Sequence, residues 1–544
     1  MVGPDKDRFL ELYNSAEGNF IKYNDLANED ERLSKRTFER RTSQWVRDGK
    51  PYVREAVEKD ETVDERPIAG GEIASPDKSR LKLAGKRFVF TSAQNNTFVH
   101  EGFWENLMSF CDYNDAQLCV GQFRYNKSGF QNATKDNEDD LWFDPKIMPY
   151  IVDESASVIE ATSGLVWCGE LDILPTAATP LTGLDSYTHT ASTIVPHAKM
   201  QLKSVPVLKG DPIKMMYTTG ACTQRNYVPK KAGQKASHHH VFGALFVEID
   251  NEGDFFVRQL VADSNGNFYD FSDYYRDGKV LTDQRIEAIN YGDIHAEMLD
   301  DTVANNAWRY DSSMLDTLKP RYQFIHDLTD FKARNHHNIK NPHFLAERYY
   351  EDDGNVQDGM RQAYDMLKEV SREWCETVVV ESNHDQAFRR WLAEADIRQD
   401  PENAEYYHKS NAELFKQIRK ENPRFHVFEW AVRGFGELNN VKFLDEDDSF
   451  VICGDNGIEC GMHGHRGPNG ARGNPNGLRN LGRKCNIGHT HSALIIDGIY
   501  VAGITCKMDM GYNKGPSSWS QSHILTYANG KRAIITMKNG KWRA

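Results

Sequence analysis

Gly488-His489-Thr490-His491 is the stretch on which the reading of this chain turns. Two imidazoles, one residue apart, follow Cys485-Asn486-Ile487, where an apolar segment gives way to polar residues. The carboxyl end of a strand is where an α/β sheet gathers its ligand-binding side chains. Upstream the same arrangement recurs. Asp293-Ile294-His295, His326-Asp327, Asn383-His384-Asp385 and His463-Gly464-His465 follow the apolar segments 286–291, 322–325, 377–380, and 450–453 with 458–462. One such cluster is a weak signal, because short polar pairs arise by chance. Five in order, each after an expected strand, supply the hard oxygens and imidazoles that a pair of divalent ions needs, with a carboxylate to bridge them. Helical segments at 356–370, 386–395 and 412–420 separate the clusters. The tail reads as strands at 493–496, 499–504, 523–527 and 532–537, with Asp497-Gly498 as a hairpin turn.

The order D-x-H, D, N-H-D, H-G, G-H-T-H resembles the calcineurin-like metallophosphoesterase superfamily over residues 286–544. The resemblance implies an α/β fold with a β-sandwich flanked by helices. It assigns Asp293, His295 and His491 to one metal ion, and Asn383, His463 and His489 to the other. Asp327 bridges them, and manganese is the first choice, with magnesium, iron or zinc as alternatives. It makes a bridging hydroxide the nucleophile, His384 the general acid for the leaving oxygen, and Asp385 the group that orients it. His465 becomes a neighbour that faces substrate. Two departures stand out. The family has glycine where His326 precedes Asp327 and where Ser382 precedes Asn383, so two tight turns change. His326 either touches substrate or packs.

The 544 residues exceed one core and lead to several domains. We expect a helix-turn-helix-like module at 1–50, a linker at 51–84, an α/β accessory region at 85–285 and the metal-bearing domain at 286–544. The third expected helix, from Ser34 to Gly49, is basic, with Lys35, Arg36, Arg40 and Arg41 as DNA contacts. Its alternative is a solvated surface helix. In the accessory region, segments 87–91, 103–111 and 117–123 read as β-α-β. His238-His239-His240 is expected to open a strand, where alternating faces prevent all three from holding one ion. The shared strand–loop–helix rhythm suggests that 85–285 is a diverged, metal-free copy of 286–544.

A net charge of −14 argues against coating nucleic acid indiscriminately. Local charge says otherwise. Between His463 and Asn486 the chain carries Arg466, Arg472, Arg479, Arg483 and Lys484 and no acid. Beside two metals this is a candidate phosphate clamp, with Arg466, Arg472 and Arg483 as substrate contacts; a solvated loop is the plain alternative. The expected function is therefore a metal-dependent deoxyribonuclease. The whole layout, including 461–473 and 515–532, resembles phage-encoded members of the superfamily that degrade host DNA, which implies a bacterial cytoplasmic setting. In that tail Trp519 and His523 either line the cleft or sit in the core. A phosphomonoesterase, nucleotidase or protein phosphatase would use the same metals. A DNA-binding or assembly protein with a structural metal site is a third reading, and the intact Asn383-His384-Asp385 argues against it. No run of eighteen apolar residues is present, nor a secretory-type start, and the nine cysteines lack C-x-x-C, so no membrane association and reduced thiols are expected. The large accessory region is compatible with self-association.

Overall fold

The structure, a computed structural model, describes residues 6–16, 20–28, 32–33, 37–38, 46–47, 50–51, 81–127, 141–158, 164–335, 341–422, 424–454 and 457–544. The chain divides into two units, Met1–Ala74 and Ser75–Ala544.

In the first unit, helices Lys6–Ser15 and Phe20–Leu26 bury Phe9 and Tyr23 against Phe38. The expected third helix does not reach Gly49. Val46–Arg47 pairs antiparallel with Lys50–Pro51 instead. The intervening Asp48-Gly49 has the composition that two-residue hairpins favour, and it overrides the helical spacing upstream. The expected DNA contacts Lys35, Arg36, Arg40 and Arg41 lie outside the described residues, as does most of the expected linker.

The second unit is mixed α/β, built from several open sheets. A six-stranded sheet runs in the order Val441–Leu444, Glu376–Val380, Tyr322–His326, Ala288–Asn290, Ser522–Thr526, Arg532–Thr536. Its first four strands are parallel and its last two antiparallel. Helices cover its outer face. Val356–Val370 shows why: Val356, Met360, Ala363, Leu367 and Val370 form one apolar stripe, and Asn355 caps the amino end by accepting from Gln357 N and Asp358 N.

A four-stranded sheet repeats the same order and directions. Phe255–Val261, Gly243–Ile249, Arg87–Gln94 and Gln117–Phe123 correspond to Arg532–Thr536, Ser522–Thr526, Ala288–Asn290 and Tyr322–His326. The edge strands of the two sheets meet where Ile534 N donates to Gln259 Oε1 at 2.7 Å. An eleven-stranded sheet shows the same doubling. Its strands Ile458–Glu459, Lys484–Ile487, Ile499–Val501 and Leu494–Ile496 mirror Leu165–Cys168, Ser192–Val195, Lys214–Thr218 and Leu202–Val205 in order and direction. The two sets join through an antiparallel pair, Leu494↔Lys203 and Ile495↔Leu202. An antiparallel pair of equivalent strands has local two-fold symmetry, so the unit is two similar halves related by an approximate dyad. Between the layers lies one core that both halves share, with Phe90, Trp167, Leu245 and Val257 from one and Ile495, Tyr500, Ile524 and Ile534 from the other.

The halves differ at the strand ends. Asp293 bridges Ile504, and its counterpart Ser92 bridges Ala221. Gly121 lies so close to Pro196 and Trp167 that a Cβ would overlap both, which leaves no space for a ligand-bearing side chain there. The histidine triplet does not open a strand: His238 and His239 end the helix Lys231–His239, and the strand starts at Gly243. Among the described residues no helix is long and apolar enough to cross a membrane.

Candidate metal centre

Every candidate ligand lies just past the carboxyl end of a strand. Asp293 follows Ala288–Asn290, Asp327 follows Tyr322–His326, Asn383 follows Glu376–Val380, and His489 with His491 follows Lys484–Ile487. His463 follows the short strand Ile458–Glu459. The loops turn sharply. His295, Asp327, His489 and His491 all have left-handed backbone, with φ of 48°, 44°, 74° and 60°. Such conformations cost on the order of 1–3 kcal/mol each for non-glycine residues and persist where the surroundings enforce them. Here the enforcement is a ladder of backbone bonds, with His295 N to Asp327 O at 2.7 Å, Asp293 N to Gly503 O at 3.0 Å and Gly488 N to His463 O at 2.9 Å. Gly488 is required because an added Cβ would run into the Asp293 carboxylate.

The side chains converge in a buried cluster. Asp327 Oδ2 lies 3.3 Å from His463 Nε2, 3.6 Å from His295 Nε2 and 3.9 Å from His491 Nε2. Asp293 Oδ2 lies 3.3 Å from His491 Nε2 and accepts from His489 N at 2.8 Å. The ligand-type atoms of Asp293, His295, Asp327 and His491 are all within 4.8 Å of one another. Asp327 thus sits between the His295/His491 side and the His463 side.

Hydrogen bonding tests whether a cation fits. Asp293 Oδ1, both carboxylate oxygens of Asp327, Asn383 Oδ1 and both ring nitrogens of His463 are buried without a hydrogen-bond partner. Buried polar atoms are normally satisfied, and leaving charged ones bare is costly. Carboxylate oxygens, a carboxamide oxygen and imidazoles that face one another in this way form a donor set that could hold divalent ions. The electrostatics agree. Burial, then the charge of Asp327, pushes Asp293 well above the usual carboxylate range. Burial alone would also raise Asp327, but the His463 and His384 imidazoles outweigh it and hold this carboxyl well below its ordinary value. Burial lowers His489 to about 3 and His491 to about 4, so both rings are neutral, as ligation requires.

His384 stands beside this cluster at the start of helix Asp385–Glu394, its ring 4.8 Å from that of His295. Its Nδ1 lies 3.0 Å from the Asp330 carbonyl and 3.5 Å from Asp330 Oδ1. Burial lowers its pKa, but Asp327 and Asp330 more than reverse this, and the net shift is upward. Asp385 has other partners than His384. It accepts from Thr329 N at 3.1 Å and pairs with Ser382 Oγ at 2.9 Å. Ser382 in turn accepts from Asp385 N at 3.1 Å, which accounts for a serine at the turn where the resemblance expected glycine. The group at His384 Nδ1 is Asp330, which the sequence reading missed. Asp330 also lies 3.3 Å from His295 Nδ1, through its Oδ1.

The expected substrate contacts separate in space. Arg472 lines the cleft of about 620 Å³ over the cluster, together with Asn383, His384, His489, Tyr512 and Trp519. Arg466 pairs with Glu446 at 2.5 Å, and His465 Nε2 lies 3.1 Å from the same carboxylate. Arg483 lines a different cavity and lies 3.5 Å from Glu459. His326 is fully buried against His463, with both ring nitrogens unpartnered. Trp519 packs on His491 with ring centroids 4.3 Å apart, whereas His523 is core, accepting from Gly292 N at 3.0 Å.

Protein A1 of Escherichia phage T5 is 42% identical to this chain over 513 residues, an alignment that covers 92% of the chain and 91% of the relative. No family model matches the chain, and no solved structure matches it.

Proposed function

The chain belongs to the family of protein A1 of Escherichia phage T5, and we propose that it is a metal-dependent deoxyribonuclease of calcineurin-like metallophosphoesterase type, acting in the cytoplasm of an infected bacterium. The observation that carries this reading is the convergence of strand-end loops on one cluster of carboxylate and imidazole atoms, in which Asp293 Oδ1, both oxygens of Asp327, Asn383 Oδ1 and both ring nitrogens of His463 are buried without a hydrogen-bond partner. Asp293, His295 and His491 would hold one divalent ion, Asn383, His463 and His489 a second, and Asp327 both. When bound, such ions supply positive charge for the phosphoryl oxygens and acidify water to make a nucleophile, and manganese suits the mixed donor set.

The chain's own residues complete the chemistry. His384 gives Nδ1 to the Asp330 carbonyl, which leaves Nε2 as the proton donor for the departing 3′ or 5′ oxygen. Against the effect of burial, the carboxylates of Asp327 and Asp330 shift its pKa upward, which favours the protonated ring. Arg472, at the mouth of the cleft and without a carboxylate partner among the described residues, binds the phosphate. The choice of DNA over a small phosphoester rests on this arginine and on the basic loop that carries it.

The test incubates the protein with linear DNA and with p-nitrophenyl phosphate, in manganese, in magnesium, and with excess EDTA. DNA is expected to be degraded with metal and preserved with EDTA. Intact DNA in every metal beside a cleaved monoester would replace the nuclease with a phosphomonoesterase.

A further inference from the structure

A second cavity, of about 570 Å³, lies where the two halves of the larger unit meet. It shares no lining residue with the cleft over the metal cluster. Seven lysine and arginine side chains line it against two carboxylates, in a protein whose net charge is −14. Both carboxylates are already engaged. Asp497 takes Lys199 Nζ at 2.7 Å, His239 Nδ1 at 3.4 Å and Arg479 Nε at 3.6 Å. Asp263 closes its own turn by accepting from Asn265 N at 2.8 Å and Asn267 N at 3.0 Å.

Arg483 pairs with Glu459 outside the lining at 3.5 Å, and four cations remain without a carboxylate among the described residues: Arg225, Lys484, Lys531 and Arg532. Arg532 is fixed by carbonyls, donating to Cys485 O at 2.9 Å and Gly498 O at 3.0 Å, and lies 3.9 Å over the Tyr500 ring. Arg225 donates to His240 O at 3.1 Å and lies 5.1 Å from the Phe242 ring centroid. These two guanidiniums are held in place before any ligand arrives. Burial, and then the charge of Lys484, depresses the Lys531 ammonium. Like charges gathered and partly desolvated repel one another, and an anion among them removes that repulsion.

The shape narrows the ligand. The volume falls in the range of about 300–1,000 Å³ typical of small-molecule sites. Apolar side chains such as Met200, Val261 and Ile495 form part of the wall, and the cations supply the polar part. Fixed guanidiniums with two ammonium groups suit phosphate oxygens. We propose that this cavity binds a phosphoryl anion the size of one nucleotide, through Arg225, Lys484, Lys531 and Arg532, at a site distinct from the metal centre. The same chemistry serves a free nucleoside phosphate or one backbone phosphate of a DNA strand.

Calorimetric titration of the full chain in EDTA tests this without the metals. The probes are deoxyadenosine monophosphate, deoxyadenosine triphosphate and a short single-stranded oligonucleotide. Lys484→Ala with Lys531→Ala should weaken binding at least about tenfold, the weight of one charge-assisted hydrogen bond. Arg225→Ala, at an exposed position, should also weaken it, and unchanged circular dichroism shows that each variant folds. Mononucleotide binding that depends on these residues assigns the site to free nucleotides. Dependence seen only with the oligonucleotide assigns it to the DNA backbone. Equal affinities in wild type and variants for every probe, or no binding of any probe, overturn the proposal.

Discussion

His384 is the residue on which turnover depends in this account. Its Nδ1 is committed to the Asp330 carbonyl. His384→Ala is expected to keep its metal, measured by plasma emission after gel filtration, and to lose about 10²–10⁴-fold in DNA hydrolysis. Full activity in that variant would remove the general acid from the scheme. Arg472→Ala should raise KM for DNA and flatten its salt dependence, because one phosphate contact is lost. A third residue acts on stability alone. Burial depresses Lys538 from 10.5 to about 7, its ammonium lying 3.1 Å over the Phe255 ring. Between those two values the unfolded chain holds a proton that the folded chain has released, so stability rises with pH across the window. Lys538→Met should therefore be stabilising near pH 7, and the gain should fade towards pH 10. Denaturation midpoints of both proteins at the two pH values check this, and a gain independent of pH would reject it. At this scale the sequence pointed to candidate ligands, four of which (Asp293, His295, Asp327 and His491) the structure brings within 4.8 Å of one another, because carboxylates and imidazoles directly after apolar runs have few other uses. It hid Asp330, which lies in an irregular segment where no periodicity says which way a side chain points. It also gave no sign that Ser382 bonds Asp385, a partner that the expected glycine would not supply.

The strand-end loop is the element that makes the site. Strands of four or five apolar residues were legible from composition, and Val356–Val370 from its apolar stripe. The conformations of the loops were not, since left-handed backbone at His295, Asp327, His489 and His491 arises from contacts between loops far apart in sequence. Gly488 shows the dependence best. Gly488→Ala would force Asp293 to move, and metal affinity is expected to fall by about 10–100-fold, as for other changes behind a ligand. Competition with a fluorescent chelator measures it, and unchanged affinity would mean that the Asp293 position is not set by this close approach. Two misreadings at this scale have local causes. Val46–Arg47 pairs with Lys50–Pro51 where a helix was expected, because a turn-forming pair outweighs helical spacing over a few residues. The histidine triplet closes a helix and does not open a strand, because polar residues before an apolar run fit either role.

At the scale of the molecule, the doubling is the main feature. The sequence hinted at it only through rhythm, because the pairing Leu494↔Lys203 joins residues almost three hundred positions apart and no local pattern encodes it. Ser92 and Gly121 explain why only one half carries the candidate centre. The halves share one core through Leu245, Val257, Ile495 and Ile534, so neither should fold alone. Residues 286–544 expressed by themselves are expected to melt without a cooperative transition, and a sharp two-state melt would show an independent domain. The central claim is the metal centre itself, and anomalous diffraction from crystals soaked in manganese tests it most directly. Two peaks flanking the Asp327 carboxylate are expected, one beside Asp293, His295 and His491 and one beside Asn383, His463 and His489. Crystals with no peak at this cluster, and manganese only elsewhere or nowhere, would contradict it.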